Sequence, residues 1–293
     1  MSRPSYIPPS ESVLSVQPAE REAGATDAAS RGSGGPPQVS WPPMPLGPAM
    51  LLFAGVGVLV LALGPLLIMK LGLPALLVLQ TVLIGAPSLL YVHHSQRPAM
   101  QLLPFRALSA QALLGTVMLG LSVWYVLLGG LLPLQERLFP VPEAIMRARE
   151  QLFAPPEDGL GWLLLWASAA LTPAVFEELL FRGALLQTFL TRLTPWVSVV
   201  LTAAMFALFH FNPYQLSITF FQGVLMGWLV LRTRSLLGGV VFHLFNNSIV
   251  LLFSTQEVAE ATPAMLSAML LLALVGAWMV NRSAPASLPR AEL

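Results

Sequence analysis

Eight long apolar runs, separated by short polar connections, constrain this chain more than any motif in it. About 18 or more consecutive apolar residues can cross a bilayer as a helix, and in lipid a helix satisfies its own backbone hydrogen bonds. The runs predict an all-α fold, a polytopic membrane bundle of about eight transmembrane helices. The depths of the short fifth run and the overlong fourth run stay open. The runs cover residues 47–69, 73–92, 109–133, 160–190, 195–211, 214–231, 236–253 and 263–280.

The composition favours the same class and excludes others. Hydrophobic residues make up 56% of the 293 residues and charged residues only 10%, whereas soluble domains carry about 25% charged residues. A net charge of +1 offers no basic surface, so we expect a lipid bilayer and no nucleic acid as partner. The absence of cysteine excludes disulfides, thiolate nucleophiles and Cys-ligated metal centres.

The segments outside the runs suggest how the chain is organised. Residues 1–43 are rich in Pro, Ser and Gly, which predicts a disordered tail, followed by a transmembrane domain over 44–283 and a short tail over 284–293. The excess of Lys and Arg in alternate loops predicts that both termini are cytoplasmic, and we expect a bacterial inner membrane. Residues 142–153 predict an interfacial amphipathic helix that serves as a connector or, alternatively, as a lid over the substrate entrance.

The fourth run contains three ionisable residues within six positions, Glu177, Glu178 and Arg182. Each costs about 2.5 to 3.5 kcal/mol near the bilayer centre, so such groups survive when they are paired, solvated or functional. Glu178 precedes Arg182 by four residues, the favoured order for a helical ion pair. Glu177 points about 100° away from Glu178, so we expect it to face a water-filled cavity. Pro173 lacks an amide hydrogen, which predicts a bend in a continuous helix beside Glu177.

Two later runs place further polar side chains on single helix faces. Phe206 and His210 are four residues apart, as are His243 and Asn247, so each pair shares one face. The two hydrogen-bonding side chains of the second pair are suited to stabilise an oxyanion. Counting 1.5 Å per residue brings His210 level with Glu177, whereas His243 requires a helix that is tilted or re-entrant near its start.

These residues resemble the three motifs of a known family, the CAAX-protease and bacteriocin-processing (Abi) intramembrane proteases. The stretch from Glu177 to Arg182 is similar to the EExxxR motif, Phe206 to His210 to FxxxH, and His243 to Asn247 to HxxxN, and the resemblance spans about residues 160–250. Three ordered motifs on successive apolar runs are specific. The resemblance implies an intramembrane endopeptidase that hydrolyses a peptide bond in a membrane-anchored peptide or protein.

The resemblance also implies a role for each residue. Glu177 would act as general base on a water oriented with His210, while His243 and Asn247 would stabilise the tetrahedral oxyanion. The residues that would support the site are Glu178, Arg182 and Phe206.

Several alternatives stay open at this point. A metal-free glutamate mechanism is favoured, with no cofactor, but Glu177, His210 and His243 offer an O, N, N set that suits zinc. The rival functions are a proton-coupled transporter, because intramembrane carboxylates and histidines also form proton relays, and a catalytically inactive scaffold or immunity protein of the same family. The substrate stays open among prenylated CAAX tails, bacteriocin leader peptides and membrane-anchored sorting tails.

Overall fold

The structure, a computed structural model, describes residues 42–253 and 261–284, which form ten helices and contain no strand. The predicted tail over 1–43 and the tail over 284–293 lie almost entirely outside the described residues. In chain order the helices are α1 Leu46–Leu71, α2 Pro74–His94, α3 Ala99–Leu102, α4 Ala110–Leu138, α5 Glu143–Leu152, α6 Gly159–Leu190, α7 Pro195–Phe209, α8 Leu216–Thr233, α9 Leu236–Leu252 and α10 Pro263–Ser283.

Each of the eight predicted apolar runs forms a helix with ends close to those expected. Six of them, α1, α2, α4, α6, α8 and α10, are long and apolar enough to cross a membrane. The other two, α7 and α9, contain 15 and 17 residues, which is short of the spanning length of about 18 to 20. The all-helical membrane fold is confirmed, so the chain is an integral membrane protein. A count of eight spanning helices stays a prediction.

Helix α6 runs without interruption through Pro173, and its geometry explains how. A π-helical segment, Ala167–Leu171, directly precedes the proline turn, and a second one, Leu179–Leu185, follows the two glutamates. A widened turn accommodates a residue that cannot donate the regular amide hydrogen bond, and such π turns are frequent at functional sites. The predicted continuous helix is therefore confirmed, and the other long helices with π segments are α2 at Leu79–Gly85 and α4 at Leu127–Leu131.

Glycines let neighbouring helices approach closely around the site. A Cβ atom on Gly223 of α8 would lie 3.0 Å from Ala203 of α7, and one on Gly227 would lie 3.0 Å from Val199. These small residues let α8 pack directly on α7. Helix α9 lies against α4, α6 and α8, so it brings His243 to the glutamates of α6.

The start of α9 lies inside the protein. Leu236 and the preceding Ser235 are fully buried, and the Leu236 amide donates to the carbonyl of Pro104 at 2.9 Å. The Ser235 hydroxyl donates to the carbonyl of Arg106 at 2.6 Å and accepts from its amide at 3.1 Å. This buried start places His243, two turns further along, beside the middle of α6.

Helix α5 is the amphipathic helix expected over 142–153. It contains no buried residue, and Pro142 precedes it as the N-cap. Arg147 and Glu143, four residues apart, form an ion pair at 2.5 Å.

Candidate active site

The candidate site lies where the middle of α6 meets α2, α7 and α9. Glu177 is 7% exposed, His243 is 6% exposed, and Glu178 and Arg182 are fully buried. Ionised groups in such surroundings need partners, because the low dielectric makes an isolated charge very costly. The contacts of each side chain therefore indicate what it does.

Glu178 is held from both sides. Its Oε1 atom accepts a hydrogen bond from Arg182 Nη1 at 2.7 Å and lies 3.3 Å from His243 Nδ1. Its Oε2 atom faces the backbone of Gly239, where a Cβ atom would collide with it. The expected ion pair between Glu178 and Arg182 is present, and it links α6 to α9.

Arg182 extends the same link to two more helices. Its Nη2 atom donates to the carbonyl of Gly223 on α8 at 3.0 Å. The guanidinium lies over the Phe206 ring of α7, 4.6 Å from the ring centroid, which is within the range of a cation–π contact. Phe206 thus supports Arg182 directly, as expected of a residue that assists the site.

Glu177 has one occupied oxygen and one unoccupied oxygen. Its Oε1 atom accepts a hydrogen bond from Gln80 Nε2 of α2 at 2.7 Å. Its Oε2 atom is buried, has no hydrogen-bond partner within the described part of the chain, and lies 3.9 Å from His243 Nε2. That separation exceeds a hydrogen bond.

The ring of His243 lies between the two carboxylates. Its Nδ1 atom faces Glu178 and its Nε2 atom faces Glu177, while the Phe206 ring packs at right angles to it at 5.8 Å. A carboxylate oxygen only accepts, so Nδ1 must carry the proton that bonds to Glu178. This fixes the ring orientation and turns Nε2 toward Glu177.

Two predicted site residues have other partners. His210 caps the end of α7, with Nδ1 2.8 Å from the carbonyl oxygen of Phe206 and its ring 4.8 Å from the Phe206 ring. Asn247 donates to the carbonyl of Ala169 on α6 at 3.3 Å. Across residues 42–253 and 261–284, no hydrogen bond or ion pair joins either side chain to Glu177. Among the predicted residues, Glu177, Glu178, Arg182, Phe206 and His243 form one connected set, and His210 touches this set only through Phe206.

The zinc alternative does not fit this arrangement. Where the structure describes the chain, no three His, Asp or Glu side chains are gathered so that they could hold a metal ion. Glu177, His210 and His243 therefore do not form the O, N, N set considered from the sequence.

Sequence reasoning missed Gln80. It is the side chain that bonds directly to Glu177 from another helix, and it lies in an apolar run without a recognised motif. The sequence signal that could have identified it is a single glutamine in an apolar run. Burying an unpaired amide is costly, so such a residue is expected to have a polar partner. Asn246, which was expected to pack, is buried and bonds to the carbonyls of Gly120 and Phe242.

The comparisons with known proteins point to the same helices. Residues 159–249, which span α6, α7, α8 and most of α9, match the family described as type II CAAX prenyl endopeptidase Rce1-like. No curated protein and no solved structure matches the chain.

Proposed function

We propose that this chain, whose residues 159–249 match the Rce1-like family of type II CAAX prenyl endopeptidases, belongs to that family and uses Glu177 as the general base of an intramembrane endopeptidase. The family is one of proteases, so CAAX-type endopeptidase activity is implied at the family level. The roles of individual residues and the choice of substrate are the content of the proposal.

The single observation that carries the proposal is the state of the Glu177 carboxylate. Oε1 is occupied by Gln80, while Oε2 is buried, unpaired and 3.9 Å from His243 Nε2. Buried polar atoms are almost always hydrogen-bonded to protein or to water, so Oε2 is suited to accept from a water molecule. A base must lie within hydrogen-bond reach of the proton it removes.

The proposed reaction begins at the unoccupied oxygen of Glu177. Glu177 Oε2 takes a proton from the water as its oxygen forms a bond to the peptide carbonyl carbon, and the carbonyl electron pair moves onto oxygen. When the tetrahedral intermediate collapses, the carbon–nitrogen bond breaks and the proton passes from Glu177 to the leaving nitrogen. His243, which lies beside Glu177, would stabilise the carbonyl oxygen. The resemblance to the family assigns Asn247 to the same oxyanion and His210 to the water, and both would have to leave their present partners, the carbonyls of Ala169 and Phe206, to do so.

Contacts among the supporting residues fix the orientation of His243 relative to Glu177. Arg182 holds Glu178, Glu178 holds His243 Nδ1, and His243 Nε2 is thereby aimed at Glu177. When the ring carries both protons, Nε2 can donate toward an oxyanion beside Glu177. Fixed donors of this kind need no rearrangement during the reaction, which is the main source of electrostatic stabilisation in enzymes.

We propose as substrate a peptide or protein whose carboxyl-terminal part is anchored in the membrane. The buried position of Glu177 within a helix of spanning length supports this, because a soluble segment would not reach it unaided. We also propose a bacterial inner membrane as location, with both termini in the cytoplasm, from the Lys and Arg bias of the loops.

Glu177→Gln tests the proposal. The protein is reconstituted in liposomes with two quenched fluorogenic peptides, one farnesylated and ending in a CAAX sequence, the other unprenylated and anchored by an apolar helix. Loss of the base is expected to lower kcat by about 1,000-fold, with insertion and folding unchanged. The matched control is Glu143→Gln on α5, which keeps full activity. Cleavage of neither peptide by the wild type, or full activity of Glu177→Gln, would overturn the proposal.

His243→Ala tests the second part of the mechanism. Removal of an oxyanion donor lowers kcat by about 100-fold, and the loss is expected in kcat because the interaction forms only in the transition state. Turnover at the wild-type rate would refute the role of His243.

A further inference from the structure

The contact between α2 and the Glu177 carboxylate is not explained by the matched helices. Gln80 belongs to α2, outside residues 159–249, and its Nε2 atom donates to Glu177 Oε1 at 2.7 Å. Hydrogen bonds to ionised groups are stronger than neutral ones, and this one lies in a low-dielectric interior. The base of the reaction is therefore held from a helix that carries none of the three motifs.

The backbone packing brings the two side chains together. A Cβ atom on Gly85, at the end of the π-helical segment that begins beside Gln80, would collide with the ring of Phe176. Phe176 directly precedes Glu177. Because the glycine lets α2 approach α6 this closely, the short amide side chain of Gln80 reaches the carboxylate.

Only the NH₂ group of the Gln80 amide forms a hydrogen bond; its oxygen does not. Its Oε1 atom is buried and, like Glu177 Oε2, has no hydrogen-bond partner in the described ranges. A glutamine that served only to join helices would be expected to satisfy both ends, because a buried unpaired acceptor is costly. The opposite amide orientation would place two acceptor oxygens against each other, so the carboxylate selects the donor end.

We propose that Gln80 is a positioning residue of the active site, which binds Glu177 Oε1 so that Oε2 is the oxygen presented to the attacking water. This inference rests on the function proposed above. The other groups around Glu177 are charged or titratable: Glu178 and Arg182 on its own helix and His243 on α9. Gln80 supplies a neutral donor that stabilises the ionised base without changing the net charge of the site.

Steady-state kinetics of Gln80 variants test the proposal. Gln80→Leu is expected to lower kcat by about 10-fold to 100-fold, the worth of a hydrogen bond to a charged group, and to change KM by less than about twofold. Gln80→Glu has a similar shape but replaces the neutral amide donor with a second carboxyl group, which either repels Glu177 or shares its proton, so it should lose at least as much. The matched control is Thr81→Val, because the Thr81 hydroxyl donates to the carbonyl of Leu77 in its own helix and has no part in the site.

A second measurement needs no substrate. An apolar carbodiimide reacts with protonated carboxyl groups, and mass spectrometry of the peptide that contains Glu177 quantifies the adduct. Removal of the donor is expected to raise labelling of Glu177 by about 10-fold, because its Oε1 atom is no longer occupied, while Thr81→Val labels like the wild type and Glu177→Gln gives no adduct at this position. A purely structural role for Gln80 would lower stability and raise labelling of Glu177 and the neighbouring Glu178 alike.

The two measurements separate the two proposals. If the wild type cleaves neither peptide, the proposed function fails, yet the labelling still decides whether Gln80 controls Glu177. If Glu177→Gln is inactive while both Gln80→Leu and Gln80→Glu retain wild-type kcat and labelling, the positioning role is refuted and the function stands. Should Gln80→Leu not fold, the isosteric Gln80→Glu decides by the same readings.

Discussion

Helices α5 and α6 carry the same local pattern in opposite surroundings. In each, a glutamate precedes an arginine by four residues, and the side chains form an ion pair, at 2.5 Å in α5 and 2.7 Å in α6. The pair of α5, Glu143 with Arg147, is 71% and 67% exposed, whereas both members of the α6 pair, Glu178 and Arg182, are fully buried. The four-residue spacing therefore determines that the ion pair forms, and burial determines how much the pair contributes to stability.

Burial in α6 adds partners that α5 lacks. Arg182 also bonds to the carbonyl of Gly223 and lies on Phe206, and Glu178 also contacts His243. The α5 helix contains no buried residue. The Glu178–Arg182 pair thus joins four helices beside the Glu177 carboxylate, while the Glu143–Arg147 pair lies on the surface of a single helix. Exposed pairs are worth about 0 to 1 kcal/mol, and breaking a buried pair costs about 3 to 5 kcal/mol.

The largest loss of stability is expected from Arg182→Ala, which removes the cation of the buried pair. The change leaves Glu178 buried without its cation and opens a hole under Phe206, so the free energy of unfolding should fall by about 3 to 5 kcal/mol. Equilibrium unfolding in mixed micelles with an increasing fraction of SDS measures it. Arg182→Lys keeps the charge but not the planar fork, so it should lose less.

A double variant tests whether Arg182→Ala loses stability because Glu178 is left as a buried charge without a partner. Glu178→Gln combined with Arg182→Met removes both charges, so it should be more stable than Arg182→Ala alone. If Arg182→Ala lowered the free energy of unfolding no more than Arg147→Ala in α5, burial would not distinguish the two ion pairs.

The sequence predicts what depends on spacing within one helix. The Glu178–Arg182 pair, the shared face of Phe206 and His210, and the positions of eight apolar helices all follow from helical period and run length. These features are confirmed because neighbouring turns of one helix determine them.

Contacts between helices were harder to predict. Counting a constant rise per residue brought Glu177 level with His210, but a π-helical segment, Leu179–Leu185, lies between Glu177 and the turn to α7, and it changes the register along the helix. The connected partner of Glu177 on another motif helix is His243, reached because α9 begins inside the protein. Gln80 escaped prediction because its importance depends on Gly85 packing against Phe176, which no local spacing reveals.

A smaller effect, which sharpens the same comparison, is expected from Gly239→Ala. The new Cβ atom would collide with Glu178 Oε2 and lie 3.2 Å from Val230, and the carboxylate cannot move without lengthening its bonds to Arg182. Overpacking of this kind costs about 1 to 3 kcal/mol, again measured by SDS unfolding. Gly55→Ala in α1 is the matched control, since nothing lies within 4 Å of its Cβ position.

For Gly55→Ala, alanine is the better helix former, so this variant should be unchanged or slightly more stable. Equal losses in the two glycine variants would show that the packing around Glu178 is not special.

The smallest effect is expected from Arg147→Ala in α5. The pair is exposed to water on a helix without buried residues, so the free energy of unfolding should change by less than about 0.5 kcal/mol and cleavage of the anchored peptides should not change.

The same variant tests whether α5 is a connector or a lid. A lid that closes over the substrate would need its charged face in a defined place, so a raised KM with unchanged stability would favour the lid. A loss of stability similar to that of Arg182→Ala would instead mean that α5 packs on the protein, and spacing alone would then decide the worth of both pairs.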